Sequence, residues 1–415
     1  MSTELHRPGV VVVGGGHAGL QVAETLRAEG YDGTVTVVVD DPHPPYQRPP
    51  LSKDCLGGED AAPLPLRGPR FAEEHCIDLR TGVTATGIDR QRRTVHLDTH
   101  EEVPYAHLVL ATGAANRRLT CPGAELDGVH GLRTLDDAQR LSAAMTAARR
   151  VVVIGAGFIG LEFATVARAR GLEVTVLEFA PRPMGRAVSP VTGDWFAQAH
   201  LASGIDLRLG EGIERCEGAG RVEAVVSTTG DRYPADLVVV GIGVVPSTAL
   251  AEQAGLETDN GIVVDASLRT SDPAVLAVGD CASFPSVHAG IRSRLESVQN
   301  ATDQARHAAH TILGRTDDYA DLPWFWSRQG PWKLQIAGLY RAGDDTVVRG
   351  DLTAGKFSVF CFRQDRLVAV ESINRPADHM TARKLIHERV PLTPAQAADP
   401  ALDLKTVAHA ATSAA

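Results

Sequence analysis

Three glycines, Gly14, Gly16 and Gly19, follow a run of four valines, Val10–Val13, and open a helical pattern through Leu20, Val22, Ala23 and Leu26. Only this register of Gly14-Gly15-Gly16-His17-Ala18-Gly19 satisfies G-x-G-x-x-G. The first glycine permits a tight turn, the second lets the main chain approach a pyrophosphate, and the third lets helix and strand pack closely. The helix start then offers free N–H groups and the positive end of its dipole to the anion. A second apolar run, Val35–Val39, ends on Asp40, 21 residues after Gly19. An acid at that place accepts hydrogen bonds from a ribose. Strand, helix, strand and terminal acid together make a βαβ unit built to hold a dinucleotide.

The same plan begins again at Arg150. Val151–Ile154 reads as a strand, Gly155-Ala156-Gly157-Phe158-Ile159-Gly160 as a second fingerprint, and Leu161–Ala169 as its helix. Val174–Leu177 is the second strand, closed by Glu178, 18 residues after Gly160. Both units also end alike. Tyr105 introduces Leu108–Leu110 and the small turn Ala111-Thr112-Gly113, and Tyr233 introduces Leu237–Val240 and Gly241. This is an internal duplication, and two fingerprints in full context are far more specific than one. A carboxylate at Glu178 repels a 2′-phosphate, which favours NAD over NADP. Arg182 and Arg186 lie four and eight residues further on and could serve the pyrophosphate or the adenine.

Other residues are placed by these units. Tyr46-Gln47-Arg48-Pro49-Pro50-Leu51-Ser52-Lys53 follows Asp40, and its prolines stiffen the backbone. Arg48 and Lys53 are thereby held near the expected phosphates. Between residues 54 and 104 short strands are expected around Thr81–Thr86 and Arg93–Leu97. Val275–Val278 is a buried strand ending in Gly279-Asp280, and Ser297 is placed to cap an alanine-rich helix over Ala301–Leu313. From Tyr319 the character changes: Trp324, Trp326 and Trp332, three of the four tryptophans, fall within nine residues. Strands are expected at Val347–Val348, Phe357–Phe362 and Leu367–Val370, then a helical tail from about Ala377. That region reads as an α+β domain with an aromatic core, or as an aromatic lid on a cofactor ring.

Bulk properties narrow the classes. At 415 residues, 44% hydrophobic and 22% charged, the chain suits two to four globular domains. No apolar run approaches the roughly 18–20 residues of a membrane span, and Met1–Gly9 is too short and polar for a signal peptide. No membrane association and a cytoplasmic place are therefore expected. A net charge of −10 argues against nucleic-acid binding. Residues 290–390 nevertheless carry a net +3, a relatively basic region suited to an acidic electron carrier. The six cysteines, at 55, 76, 121, 216, 281 and 361, form no close-spaced pair. Each is expected to be a small buried hydrophobe rather than a redox or metal-binding group.

Taken together, the motifs resemble the FAD- and NADH-dependent ferredoxin reductases that feed haem monooxygenases and aromatic-ring dioxygenases. The resemblance spans nearly the whole chain. It rests on the paired fingerprints, Tyr46–Lys53, Ala111–Gly113, Leu132-Arg133-Thr134-Leu135, Ala277–Asp280, Glu296–Asn300, Trp324-Phe325-Trp326-Ser327 and Asn374-Arg375-Pro376-Ala377-Asp378. It implies an α/β fold like that of glutathione reductase: two Rossmann-like dinucleotide-binding domains and a C-terminal α+β domain. The expected division is 1–113 and 242–318 for FAD, 114–241 for NAD, and 319–415 for the last domain. It implies FAD at Gly14, Gly16, Ala18, Gly19, Asp40, Arg48, Lys53, Ala85, Ala111, Thr112, Gly113, Arg133, Asp280, Val298 and Trp326. NADH would then lie at Gly155, Gly157, Ile159, Gly160, Glu178 and Arg186. Lys53 and Glu162 are the implied catalytic residues, with Lys53 near flavin N5. The implied reaction is hydride transfer from NADH to flavin, then two single-electron transfers to a [2Fe–2S] ferredoxin by a monomer or weak dimer. One departure is Arg328, where the family usually has Asp; another is His17 within the first fingerprint. In the competing class of the same fold, disulfide reductases need a cysteine pair where this chain has Pro49–Lys53, whereas NADH oxidases and peroxidases need only one redox cysteine, a place the solitary Cys55 leaves open.

Overall fold

The computed structural model describes residues 9–57 and 62–412. Packing divides the chain into two compact units. The first takes the described residues of Met1–Gln47, Leu64–Ala115 and Val245–Asp321; the second takes those of Arg48–Pro63, Asn116–Val244 and Leu322–Ala415.

In the first unit the Gly9–Val13 strand pairs in parallel with Val35–Val39 on one side and Glu102–Leu110 on the other. Asp78–Thr81 and Val275–Ala277 extend this parallel layer at its two sides. Every residue of Gly9–Val13 and Val35–Val39 is buried, as continuous apolar runs are when both faces of a parallel sheet are covered. Helices His17–Ala28 and Val298–Ile312 pack together. The second presents Ala301, Ala305, Ala308 and Ala309 to the core, a helical stripe of small side chains that allows close approach. It begins three residues before the expected start, because Ser297 Oγ accepts from Asn300 N at 3.1 Å and fixes the cap. The expected strand around Thr81–Thr86 is two strands, Asp78–Thr81 and Ala85–Asp89. Gly82, at φ +67°, turns the chain between them.

The second unit is built on two five-stranded sheets of different kinds, beside a smaller three-stranded one over 213–234. One is parallel, in the order Asp206–Leu209, Glu173–Glu178, Arg150–Ile154, Leu237–Val240, Val129–Gly131. The other is antiparallel, in the order Trp324–Gln329, Trp332–Gly338, Arg366–Ile373, Lys356–Arg363, Asp345–Asp351, with helix Pro376–His387 packed on it. Helix Pro190–Ala202 meets this antiparallel sheet through aromatic rings: Trp195 lies 5.7 Å from Trp332 and 5.3 Å from Phe357. Its start is tied to the sheet by Glu371, which is fully buried. That carboxylate accepts from Ser189 N at 2.6 Å and Ser189 Oγ at 2.7 Å. Burial raises its pKa, and the hydrogen bonds from Thr192 and Ser189 oppose that shift. Within the tryptophan-rich segment, Trp332 joins the Trp195 cluster and Trp324 packs with the last helices. Among the described residues no helix is long and apolar enough to cross a membrane.

Candidate active site

The first fingerprint forms a cradle at the carboxyl end of its sheet. Gly14 sits at φ +114°, and a Cβ there would stand 2.2 Å from Ala111 O. A Cβ on Gly19 would stand 1.8 Å from Gly14 O. The chain itself therefore requires glycine at both places. Gly16 differs, because a Cβ there would meet nothing within 4 Å. Its bareness leaves open space in front of a helix start that has no side-chain cap and no acid in its first turn. That room, before a helix start without a side-chain cap, fits a pyrophosphate. Asp40 is exposed at the end of Val35–Val39, and Ala18 packs against the turn at Gly279. Ala111, Thr112 and Gly113 follow the Glu102–Leu110 strand, with Thr112 Oγ1 donating to Ser247 O at 2.7 Å. Asp280 follows the Val275–Ala277 strand, and Arg294 donates to its carbonyl at 3.2 Å. Val298 opens the helix capped by Ser297. Most of these positions lie just past the carboxyl ends of parallel strands, the usual place for a ligand on such a sheet. Ala85 stands on the antiparallel hairpin instead.

The second cradle repeats the geometry. Gly155 sits at φ +102°, with a hypothetical Cβ 2.6 Å from Gly241 O; that of Gly160 would be 2.2 Å from Gly155 O. Gly157 leaves 3.8 Å to Gly241 O, and Ile159 projects from the helix start, 46% exposed. Glu178 does more than the sequence suggests. Its Oε2 accepts from Ala156 N at 2.6 Å and its Oε1 from Ala180 N at 2.8 Å. The carboxylate braces the glycine turn while each oxygen keeps a lone pair for a ribose. Arg182 pairs with Asp194 at 2.9 Å, whereas Arg186 is exposed beside Gly243.

Beside this cradle lies a buried polar cluster. Glu162, two residues after Gly160 on the same helix, is 3% exposed. Lys53 Nζ approaches its Oε2 at 2.5 Å, and Ser52 Oγ donates to the same oxygen at 2.5 Å. Ser327 Oγ and Arg328 N donate to Oε1 at 2.8 and 3.2 Å. Four donors thus satisfy a carboxylate that burial alone would penalise. Behind Ser327, Gln329 Nε2 donates to its hydroxyl at 3.3 Å, and His200 Nε2 meets Gln329 Oε1 at 2.7 Å. Arg48 donates to Arg133 O at 2.9 Å, joining two of the expected site residues. Trp326 is half-buried, 5.4 Å from Trp324. The pair Lys53–Glu162 was expected; Ser52, Ser327, Gln329 and His200 were not. A signal existed for two of them, since Ser327 and Gln329 alternate on one face of a strand that should bury apolar residues there.

The cysteine reading holds in part. Cys55, Cys216, Cys281 and Cys361 are buried, but Cys76 is exposed and Cys121 partly so. Cys76 sits at φ +50° in a turn, where no core is available to cover it. Burial, with a smaller contribution from Asp54, pushes the Cys55 thiol up and so away from the reactive thiolate. Among the described residues no group of His, Cys, Asp or Glu is arranged to hold a metal ion.

Two cradles on parallel sheets and a C-terminal α+β layer define a flavin-type pyridine nucleotide oxidoreductase architecture. Residues 8–305 match the model of the pyridine nucleotide-disulphide oxidoreductases, and residues 324–408 match the reductase C-terminal domain. The chain belongs to this family and is an oxidoreductase. It is 49% identical to the rhodocoxin reductase of Rhodococcus erythropolis, over 95% of this chain and 93% of that one. Its fold is similar to that of the ferredoxin reductase for the CYP199A2 system from Rhodopseudomonas palustris, with TM-score 0.95 and 46% identity, covering 97% and 100% of the two chains. It is also similar to the putidaredoxin reductase of the covalent complex with putidaredoxin, with TM-score 0.94 and 38% identity over 98% and 99%.

Proposed function

We propose that this protein is an NADH-dependent ferredoxin reductase of an oxygenase system. FAD is held by the first cradle, with residues 1–113 and 242–318 as its domain, and NADH by the second, in 114–241. The acceptor is a [2Fe–2S] ferredoxin, and the enzyme works in the cytoplasm as a monomer or weak dimer. One observation carries the reading: the helix of the second fingerprint itself bears Glu162, and Glu162 fixes Lys53 at 2.5 Å. When bound, FAD supplies the conversion between a hydride donor and a one-electron acceptor. The chain's own residues hold and orient. Lys53 carries a fixed positive charge to the reacting centre, and Glu162 keeps its ammonium in one place. Glu178 selects the dinucleotide without a 2′-phosphate. Lys53 acts electrostatically and forms no covalent bond.

The test is anaerobic reduction by NADH followed by rapid mixing with a [2Fe–2S] ferredoxin. A yellow protein with one FAD per chain, bleached by NADH and reoxidised by ferredoxin, is the expected result. A colourless protein that takes up no FAD overturns the reading. Glu178→Arg should raise kcat/KM for NADPH relative to NADH by roughly tenfold or more. A wild type that already uses both equally would remove Glu178 from that role.

A further inference from the structure

The second cradle presents one side chain that none of this employs. Phe179 follows Glu178 and, at 79%, is the most exposed large hydrophobic residue among those described. A lone exposed phenylalanine is ordinary on a protein surface. This one is not on a loose loop. Glu178 is braced through both carboxylate oxygens, and Glu211 N and Gly210 N donate to Glu178 O and Ala180 O at 3.0 and 3.2 Å. The main chain on either side of Phe179 is therefore fixed. Its ring edge lies over Gly212, where a Cβ would stand 3.2 Å from ring atom Cδ2 and 3.3 Å from Thr228 Cγ2. The ring rests on a glycine floor and is otherwise open to solvent.

Its place gives the exposure a use. On a βαβ unit the adenosine half of a dinucleotide lies beyond the carboxyl end of the second strand, where the terminal acid meets the ribose. Phe179 is the next residue after that acid. The first cradle has Asp41 at the corresponding position, and its carboxylate is taken up by Tyr46 Oη at 2.7 Å and His43 N at 3.1 Å. The cradle expected to exchange its ligand thus carries an open aromatic ring where the other carries an engaged acid.

We propose that Phe179 is a stacking platform for the adenine base of the nicotinamide dinucleotide; this rests on the reading of the second cradle as the NADH site. A π-face accepts the base whatever the 2′ substituent, so Phe179 contributes affinity and Glu178 contributes discrimination.

The test uses the FAD-loaded full chain and two half-ligands. ADP-ribose contains the adenine, and reduced nicotinamide mononucleotide lacks it. Calorimetric titration with ADP-ribose should show Phe179→Ala binding about tenfold more weakly than wild type, the scale of a lost base–aromatic stack. Phe179→Trp should restore binding. The KM for reduced nicotinamide mononucleotide should be the same in wild type and Phe179→Ala, since it has no base to stack. If wild type and Phe179→Ala bind ADP-ribose equally, the stack is refuted and the cradle reading survives. If wild type fails to bind ADP-ribose, the cradle reading falls and the proposal with it. An unchanged Kd with slowed ferredoxin reduction would assign the ring to a protein partner and likewise overturn the proposal.

Discussion

Glu162 shows how much one buried carboxylate can organise. It takes two donors on each oxygen, and only one of them, Lys53, carries a full charge. Replacing it with glutamine keeps the shape, removes the charge, and turns an NH2 donor towards groups that are themselves donors. We expect Glu162→Gln to retain FAD while NADH-driven flavin reduction slows ten- to a hundredfold, the scale of a charge-assisted hydrogen bond worth about 1.5–3 kcal/mol. Stopped-flow bleaching of the flavin checks this, and a rate within twofold of wild type would show that Lys53 needs no such partner. The pairing itself was legible only through family resemblance, because Lys53 and Glu162 are 109 residues apart and nothing local links them. The alternation of Ser327 and Gln329 marked a polar strand face without saying what it meets, and His200 was less legible still. The burial of His200 depends on how the antiparallel sheet meets helix Pro190–Ala202, and periodicity does not report that.

At the scale of elements, the βαβ units were the most legible part, because strand, glycine turn, helix and acid are all local in sequence. The fingerprint glycines were read as a set, yet they do different work. Gly19→Ala puts a methyl 1.8 Å from Gly14 O and should prevent stable folding of the first unit, whereas Gly16→Ala meets nothing within 4 Å. We expect Gly16→Ala to keep the circular dichroism spectrum of the apoprotein while losing FAD on gel filtration, and Gly19→Ala to lose both. Equal behaviour of the two variants would mean that Gly16 does not face the cofactor. The C-terminal layer was less legible: three of its five strands were expected, but Trp324–Gln329 and Trp332–Gly338 were not, nor was its dependence on pH. His379, on helix Pro376–His387, is 1% exposed, with its ring 5.9 Å from Trp324. Burial, then the charges of Arg383 and Lys333, lowers its pKa to about 4. The folded chain therefore favours the neutral ring. Its contribution to stability is fully present above the free value of about 6.5 and is lost as pH falls from there to about 4. The loss amounts to at most about 3 kcal/mol, less with solvent screening. Urea unfolding followed by tryptophan fluorescence should show this acid dependence, and His379→Gln should flatten it. An identical pH profile for the variant would refute the assignment.

For the whole molecule, the charge balance was legible and its use was not. The sequence offers Arg292, Arg294, Arg306, Arg315 and Arg328 as cations in the +3 region between 290 and 390. The structure occupies four of them. Arg294 pairs with Glu296 at 2.7 Å, Arg306 with Asp303 at 3.1 Å and Arg315 with Glu29 at 2.5 Å, while Arg292 donates to Val264 O and Ser283 O. Arg328 alone remains an exposed side chain with no ion pair among the described residues. Its direct cross-strand neighbour is Lys333, also exposed. Like charges placed opposite each other on an antiparallel pair are unfavourable, and an acidic partner would relieve them. The chain carries −10 overall, so an acidic ferredoxin meets general repulsion and needs such a local patch. Attraction of this kind acts on the association rate and weakens as the Debye length shrinks from about 10 Å at 0.1 M to about 3 Å at 1 M salt. We therefore expect ferredoxin reduction to slow with added salt while NADH-to-ferricyanide turnover holds. Lys333→Glu and Arg328→Glu, which change side chains and leave the Arg328 N–H on Glu162, should each slow ferredoxin reduction several-fold at low salt and converge with wild type at high salt. Arg315→Glu would break a pair with Glu29 and should have little effect on either reaction. Stopped-flow rates across a salt series decide the matter: if Arg315→Glu slows ferredoxin reduction as much as Lys333→Glu, or if neither strand variant differs from wild type at low salt, the partner docks elsewhere.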